Sequence, residues 1–265
     1  MSFPLSSMAK ALAEIAHEAG HVILRHYAGA LKARAKPDSS PVTAADEEAE
    51  ALILQRLKEF APDIPVVAEE AAAAGIMPKL GERFFLVDPL DGTKEFLKRN
   101  GEFTVNIALI EGRQPACGVV LAPASARLFV GDGPNGAFEL KAPGGIRLDF
   151  GQARPIKSRP APKEGLVAVV SRTHRDTKTD EYLAHYPVAS LMASGSSLKF
   201  GLVAAGEADL YPRHGPTMEW DTAAGQAVLE AAGGSVTELD GRPLTYGKAD
   251  QGFRNPPFVA KGKTP

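Results

Sequence analysis

Val87-Asp88-Pro89-Leu90-Asp91-Gly92-Thr93-Lys94-Glu95-Phe96 is the stretch on which the reading of this chain turns. The apolar run Phe84-Phe85-Leu86-Val87 before it reads as a strand, and it delivers two carboxylates, Asp88 and Asp91. Pro89 fixes its own φ and has no N–H, so the strand is expected to stop at Asp88-Pro89. Gly92-Thr93 then opens a short helix, whose free N–H groups can bind phosphate oxygens. Carboxylates beside such a start would repel a phosphate unless metal ions lie between them, and hard oxygen ligands of this kind suit Mg²⁺. A surface turn with Asp91 as an N-cap accounts for the same residues. The stretch therefore needs partners elsewhere in the chain.

Three other acidic positions are candidates. Glu69-Glu70 follows the short apolar strand Ile64–Ala68, and adjacent acids point to different sides, so one of them is expected to reach a site. Taken alone, the pair reads as a solvated turn. Glu219-Trp220-Asp221 opens a strongly periodic helix, expected over about Asp221–Ala232, and Asp221 can serve as its N-cap, as a metal ligand or as both. Trp220, the sole Trp, is expected to pack. Asp46 falls in the first turn of a helix expected over Thr43–Phe60, where complementing the helix dipole is worth only about 0.3–1 kcal/mol.

The rest of the chain supplies a frame. The 265 residues carry 30 Lys+Arg and 32 Asp+Glu, a formal net charge of −2, with 44% hydrophobic and 23% charged residues. This is globular composition, and it gives no general attraction to nucleic acid or to an anionic membrane. A first amphipathic helix is expected over Ser7–Tyr27, capped by Ser6 or Ser7. No apolar run approaches the about 20 residues of a membrane span, and the N-terminus is not read as a signal peptide. Phe103–Phe138 is β-rich, with strands at Val105–Ile110, Gly118–Leu121 and Leu128–Val130. Composition loosens over Gly151–Gly165, which places a boundary between subdomains 1–150 and 151–265. Strands and helices alternate beyond it, and such alternation argues α/β layering. The segment Ala71–Lys79 is expected as a mobile loop, and Lys248 with Lys261–Lys263 as a solvated tail.

Several chemistries are excluded. The chain has no Walker A loop, GxSxG elbow or paired CxxC. His17 and His21 lack the glutamate and third ligand of a zinc motif. The single cysteine, Cys117, cannot form an intrachain disulfide and reads as an inert packed thiol, which favours a cytoplasmic protein. An aspartyl-nucleophile phosphatase of the haloacid dehalogenase type needs one residue between its two acids, whereas Asp88 and Asp91 have two.

Taken together, the acidic pair Glu69-Glu70, the Asp88–Thr93 motif and Trp220-Asp221 resemble the lithium-sensitive, Mg²⁺-dependent phosphatases of the inositol monophosphatase superfamily. Finer features are similar to its CysQ-type 3′(2′),5′-bisphosphate nucleotidase branch. These are Gly92-Thr93-Lys94-Glu95-Phe96, Ser40-Pro41-Val42-Thr43-Ala44-Ala45-Asp46, Gly195-Ser196-Ser197-Leu198-Lys199-Phe200, Tyr211-Pro212-Arg213 and Gly215–Asp221. Ala68 departs from the pattern, in which Ser commonly precedes the acidic pair; it is not a ligand position.

The resemblance implies an α+β, layered α-β-α-β-α sugar-phosphatase fold. It implies metal ligation by Glu69, Asp88, the Leu90 carbonyl, Asp91 and Asp221, with two or three Mg²⁺ ions, and a water oriented and deprotonated by Asp46 with Thr93. Phosphoryl transfer of this kind is chiefly positioning and charge stabilisation. The substrate would lie on Glu69, Leu90, Asp91, Gly92, Thr93 and Asp221. On its nucleoside side it would meet Ser171, His174, Ser196, Lys199 and Arg213, with Lys199 and Arg213 neutralising a phosphate that is not cleaved. The implied activity is removal of the 3′-phosphate of adenosine 3′,5′-bisphosphate to give AMP, with 3′-phosphoadenylyl sulfate as a second substrate, in sulfur assimilation and nucleotide recycling. An inositol or sugar monophosphatase, and a non-catalytic metal-dependent nucleotide sensor, are the alternatives. The expected partner is a small nucleotide and not nucleic acid, with the chain a monomer or homodimer. Peripheral attachment to the cytoplasmic face of the inner membrane, described for some relatives, is left open.

Overall fold

A computed structural model describes residues 5–35, 41–173 and 175–263. Helix α1 spans Ser7–Ala28 and α2 spans Ala44–Phe60. The Ser6 hydroxyl accepts from Ala9 N at 3.1 Å and Thr43 Oγ1 from Ala45 N at 3.2 Å, so both N-termini have the side-chain acceptor that a helix start lacks. The short strands β1 (Ala33–Ala35) and β2 (Pro41–Thr43) pair antiparallel and lead into α2.

The first sheet holds β3 (Val66–Ala68), β4 (Arg83–Asp91), β5 (Thr104–Glu111), β6 (Gln114–Ala122), β7 (Arg127–Gly131), β8 (Ala137–Lys141) and β9 (Arg154–Ile156), in that spatial order. Only β3 and β4 run parallel. Helices α3 (Glu69–Ala73) and α4 (Thr93–Leu97) follow β3 and β4 directly. The second sheet has the order β11-β10-β12-β14-β13, from β10 (Leu166–Ser171), β11 (Val188–Ser194), β12 (Leu210–Arg213), β13 (Ser235–Glu238) and β14 (Phe258–Lys261). Its β10 pairs parallel with β11 and β12, and β14 runs antiparallel to β12 and β13. The remaining helices are α5 (Thr177–Leu183), α6 (Leu198–Ala204) and α7 (Glu219–Ala231).

Side-chain alternation along the strands makes the layers. On β5, Val105, Ile107 and Leu109 face one way and join Leu12, Ala16, Ile53 and Leu57 of the first two helices. Ala108 and Ile110 face the other way, toward Phe200, Val203, Ala224 and Val228 of α6 and α7. The same cluster continues into the second sheet through Val169, Tyr211, Val236 and Phe258. Leu183 of α5 closes the far face on Ala168, Val170 and Val259. The architecture is thus the expected α-β-α-β-α layering, of α+β class.

Close approach of α7 to the first sheet depends on two glycines. A Cβ on Gly131 would lie 2.4 Å from Ala227 O, and one on Gly118 would lie 2.7 Å from Ala227 Cβ. Neither clash can be relieved without moving α7, because one partner is backbone and the other is fixed to it.

Several expectations change. Strand β4 does not stop at Asp88-Pro89 but runs to Asp91, with a register break against β5 between Asp88 and Asp91. Its pairing with β3 ends at Val87, so the missing Pro89 N–H falls where no second neighbour needs it. Ala71–Lys79 is not all loop, since α3 continues to Ala73. Lys248 is buried and paired with Glu219 at 2.9 Å, and Lys261 lies in β14, so neither belongs to a solvated tail. Burial pushes the Cys117 thiol up to about 12, in keeping with an inert packed thiol. Among the described residues no helix is long and apolar enough to cross a membrane.

Gly131→Ala is expected to destabilise the protein by about 3 kcal/mol through overpacking. Gly81→Ala, where nothing lies within 4 Å, should change stability by less than about 0.5 kcal/mol. Urea unfolding of both variants checks the contrast; equal effects would mean that α7 does not depend on that approach.

Candidate active site

The register break in β4 turns Asp88 and Asp91 into the space where α2, α3, α4, α6 and α7 begin. The Asp88 Oδ1 accepts from Leu90 N at 3.0 Å, which folds the Asp-Pro-Leu segment onto itself. Gly92 follows with φ +90°, a conformation that a side chain would strain. It reverses the chain into α4, and Thr93 becomes the first residue of that helix. The reading of Asp91 as an N-cap does not hold, because its carboxylate leaves α4. Its Oδ2 accepts from Ser196 Oγ at 2.8 Å and Ser197 N at 2.6 Å.

Asp46 and Asp221 occupy equivalent places on different helices. Each is the third residue of its helix and reaches back to the N–H preceding the first turn. Asp46 Oδ2 accepts from Thr43 N at 2.8 Å and from Thr43 Oγ1 at 2.6 Å; Asp221 Oδ2 accepts from Met218 N at 2.7 Å. Helix α7 begins at Glu219, two residues earlier than expected, so Asp221 is not the N-cap but the residue that reaches back to it. The back-bond fixes one oxygen of each carboxylate and leaves the other for the cleft. The free Oδ1 of Asp46 receives the Thr93 hydroxyl at 3.2 Å, and Thr93 Oγ1 also lies 3.4 Å from Leu90 O.

Glu69 opens α3 and is hydrogen-bonded to Asp88. The support for α3 is a residue the sequence reading missed. Glu50, buried on α2, accepts from Glu70 N and Ala71 N at 2.7 Å each. Those N–H groups would otherwise be unmet at the helix start. A glutamate on the inner face of an amphipathic helix, in register with Ala45, Ala49 and Ile53, was the available signal.

The carboxylates act on one another. Removal from water, and then the charges of Glu69, Asp91 and Asp221, hold the Asp88 carboxyl well above the ordinary carboxylate range. Asp221 is raised by removal from water and by Asp91 and Glu69. Asp91 is raised by removal from water, which the Lys199 charge and the Ser196 and Ser197 hydrogen bonds oppose. Burial raises Asp46, against its bonds to Thr43. Among the described residues no three acidic, His or Cys side chains already converge on a single point as a closed metal cage. The donors present are nonetheless all hard oxygens: Glu69, Asp88, Asp91 and Asp221, with the Leu90 carbonyl. The raised proton affinities of Asp88, Asp91 and Asp221 mark a place where positive charge is favoured, so the donor chemistry fits a hard divalent cation.

A cleft of about 540 Å³ lies over these groups, bounded on the far side by the second half of the chain. Glu69, Asp91, Gly92, Thr93, Ser196 and Asp221 line it, as do Ser171, Lys199 and Arg213. Asp88 is buried beneath. The structure therefore brings the sequence-chosen residues to one place, except His174, which lies outside the described residues. Lys199 is buried, and its amine donates to the carbonyls of Ser194 and Ser196. Burial lowers it to about 8. Arg213 Nη2 donates to Pro216 O at 3.1 Å, while its buried Nε has no partner.

The raised carboxylates set a pH dependence. Their native pKa values exceed the unfolded ones, so between the two the native state holds protons that the unfolded chain has released. Stability in that window falls as pH rises above about 4. Asp88→Asn removes one such group. In EDTA, the melting temperature of D88N relative to wild type is expected to climb as pH rises from 4 to 7. A difference independent of pH, read by thermal unfolding, would mean that Asp88 titrates as an ordinary carboxylate.

Comparison with known proteins gives a consistent result. The profile of the inositol monophosphatase family matches residues 4–261. The chain is 46% identical over 253 residues to a Salmonella typhimurium protein named 3′(2′),5′-bisphosphate nucleotidase CysQ, covering 95% of this chain and 98% of that one. It is 45% identical to the protein of the same name from Escherichia coli K12, covering 92% and 96%. The crystal structure of CysQ from Bacteroides thetaiotaomicron, a bacterial member of the inositol monophosphatase family, superposes with a TM-score of 0.82 at 36% identity and covers 99% of both chains. A Thermotoga maritima IMPase gives 0.74 at 26% identity, covering 94% of this chain and 89% of that one. With the profile spanning nearly its whole length and its fold superposing on structures of the same family, this chain belongs to the inositol monophosphatase family.

Proposed function

We propose that this protein is a Mg²⁺-dependent 3′(2′),5′-bisphosphate nucleotidase that hydrolyses the 3′-phosphate of adenosine 3′,5′-bisphosphate to AMP. 3′-Phosphoadenylyl sulfate would be a second substrate, and lithium an inhibitor. The observation that carries the reading is the meeting of the Asp46–Thr93 pair with Glu69, Asp88, Asp91 and Asp221 under one cleft. Its relatives' names supply the substrate class.

Glu69, Asp88, Asp91, Asp221 and the Leu90 carbonyl would hold two or three Mg²⁺ ions. When bound, such ions neutralise phosphate charge and make water acidic enough to attack near neutral pH. The protein's own groups do the positioning. Thr93 Oγ1 donates to Asp46, so its lone pairs face outward to accept from a water. The water's proton passes toward Thr93 as the hydroxyl proton moves to Asp46, whose raised proton affinity suits a general base. The water oxygen attacks phosphorus, the P–O bond to the 3′-oxygen breaks, and the departing 3′-oxygen takes a proton from a solvent water while Asp46 returns its proton to solvent, giving inorganic phosphate and the 3′-hydroxyl. Gly92 and the first turn of α4 give the transferred group room beside backbone N–H. Across the cleft, Arg213, with its unpartnered buried Nε, suits the phosphate that stays.

Phosphate release from adenosine 3′,5′-bisphosphate and from inositol 1-phosphate, side by side, tests the proposal. The nucleotide is expected to be preferred, with turnover lost in EDTA, inhibited by Li⁺ and reduced about a hundredfold or more in Asp91→Asn. Mg²⁺ should raise the wild-type melting temperature and leave D91N nearly unmoved. Preference for inositol 1-phosphate would replace the substrate and keep the chemistry. Turnover that survives EDTA and D91N would remove the metal mechanism.

A further inference from the structure

The Gly92–Phe96 motif contains one acid that the mechanism above does not use. Glu95 is 4% exposed, an unusual state for a glutamate. It sits two residues beyond Thr93 on α4, so the two side chains leave the helix about 200° apart. Thr93 turns to Asp46 on α2. Glu95 turns to the second half of the chain, where its Oε1 accepts from Thr173 Oγ1 at 2.8 Å. Thr173 follows β10, two residues after Ser171, and both line the cleft.

A second carboxylate strengthens the same crossing. Glu102, from the segment between α4 and β5, takes both arms of Arg172 at 2.6 and 2.7 Å and also accepts from Gly195 N at 2.9 Å. Gly195 rests directly on Glu95: a Cβ there would lie 2.8 Å from Glu95 Cγ and 2.7 Å from Glu102 O. The Arg172–Glu102 pair is partly exposed on its Arg172 side and therefore weakened by solvent. The Glu95–Thr173 bond is the sheltered one, and hydrogen bonds to a charged partner in such places are strong. One short helix thus holds the reacting side of the cleft with Thr93 and its substrate-facing wall with Glu95.

We propose that Glu95 is a specificity-determining positioning residue: through Thr173 it fixes the segment after β10 so that Ser171 and its neighbours meet the nucleoside and the uncleaved phosphate. The substrate named here rests on the reading above. The bond contributes to recognition of the large bisphosphate ligand and nothing to a small monoester, which ends near the metal-side carboxylates.

The test compares Thr173→Val with Thr173→Ser, and Glu95→Ala with Glu95→Gln, on adenosine 3′,5′-bisphosphate and p-nitrophenyl phosphate. Val keeps the shape of Thr without the donor, while Ser and Gln keep a donor or an acceptor. T173V and E95A are expected to raise KM for the bisphosphate about tenfold with kcat within about twofold, and to leave kcat/KM for the monoester within about twofold. T173S and E95Q should recover most of the loss. T173V should also speed hydrogen exchange in the peptide that follows β10. Equal losses on both substrates, or an unchanged KM, would overturn the proposal, as would unaltered exchange. A wild type that ignores the bisphosphate, with T173V still speeding exchange, would sink the substrate assignment and leave the positioning role standing. T173V alone keeps the test valid if E95A does not fold.

Discussion

Negative charge at the end of one strand is the constraint around which this molecule is arranged. Asp88 and Asp91 emerge where β4 breaks register, and Glu69 and Asp221 are brought up beside them from α3 and α7. Left to themselves, such groups repel and seek water. They are held by backbone N–H groups that each would cost energy to leave unmet: Leu90 N on Asp88, Ser197 N on Asp91, Met218 N on Asp221. Asp88 and Asp221 are thus anchored within their own turns and Asp91 across the fold, and each keeps part of its acceptor capacity for the cleft.

The layers exist in the form they do because that anchoring needs separate elements to end together. Helix α7 begins at the cleft and runs back across the first sheet, and it lies close only because Gly118 and Gly131 present no side chain. Helix α2 supplies Asp46 at its start and, a turn later, Glu50, which fixes α3 and with it Glu69. Moving any of these helices by an ångström would displace a carboxylate by a similar amount. A packing contact far from the cleft is therefore part of the site's geometry.

The sequence reading reached much of this from residues that announce themselves. The Asp88–Thr93 motif, the acidic pair and Trp220-Asp221 carry chemical types and a joint order that chance seldom produces. Helices α1 and α2 were legible within a residue or two because their apolar faces repeat at helical spacing. Strands β8 and β14 were missed, being short runs whose apolar residues are too few to show a period. The continuation of β4 through Pro89 was missed because a proline forbids a strand only where its N–H is needed, and that depends on whether a neighbour is present. Glu50 was passed over as one more charge on a helix.

Residue types and their near neighbours along the chain establish the inventory: which carboxylates stand in which local setting, and that strand and helix alternate through the second half. Local chemistry decides such things, since a proline, a glycine at positive φ or an aspartate in a helix's first turn acts within a few residues. Which distant groups meet follows from the packing of the layers. Asp46 and Thr93, Glu95 and Thr173, Glu50 and the start of α3 are each joined across tens of residues, and no periodicity records such a meeting. Their pairing follows from where sheets stack and helices end, and from the cost of leaving a buried carboxylate or N–H without a partner once the layers have closed.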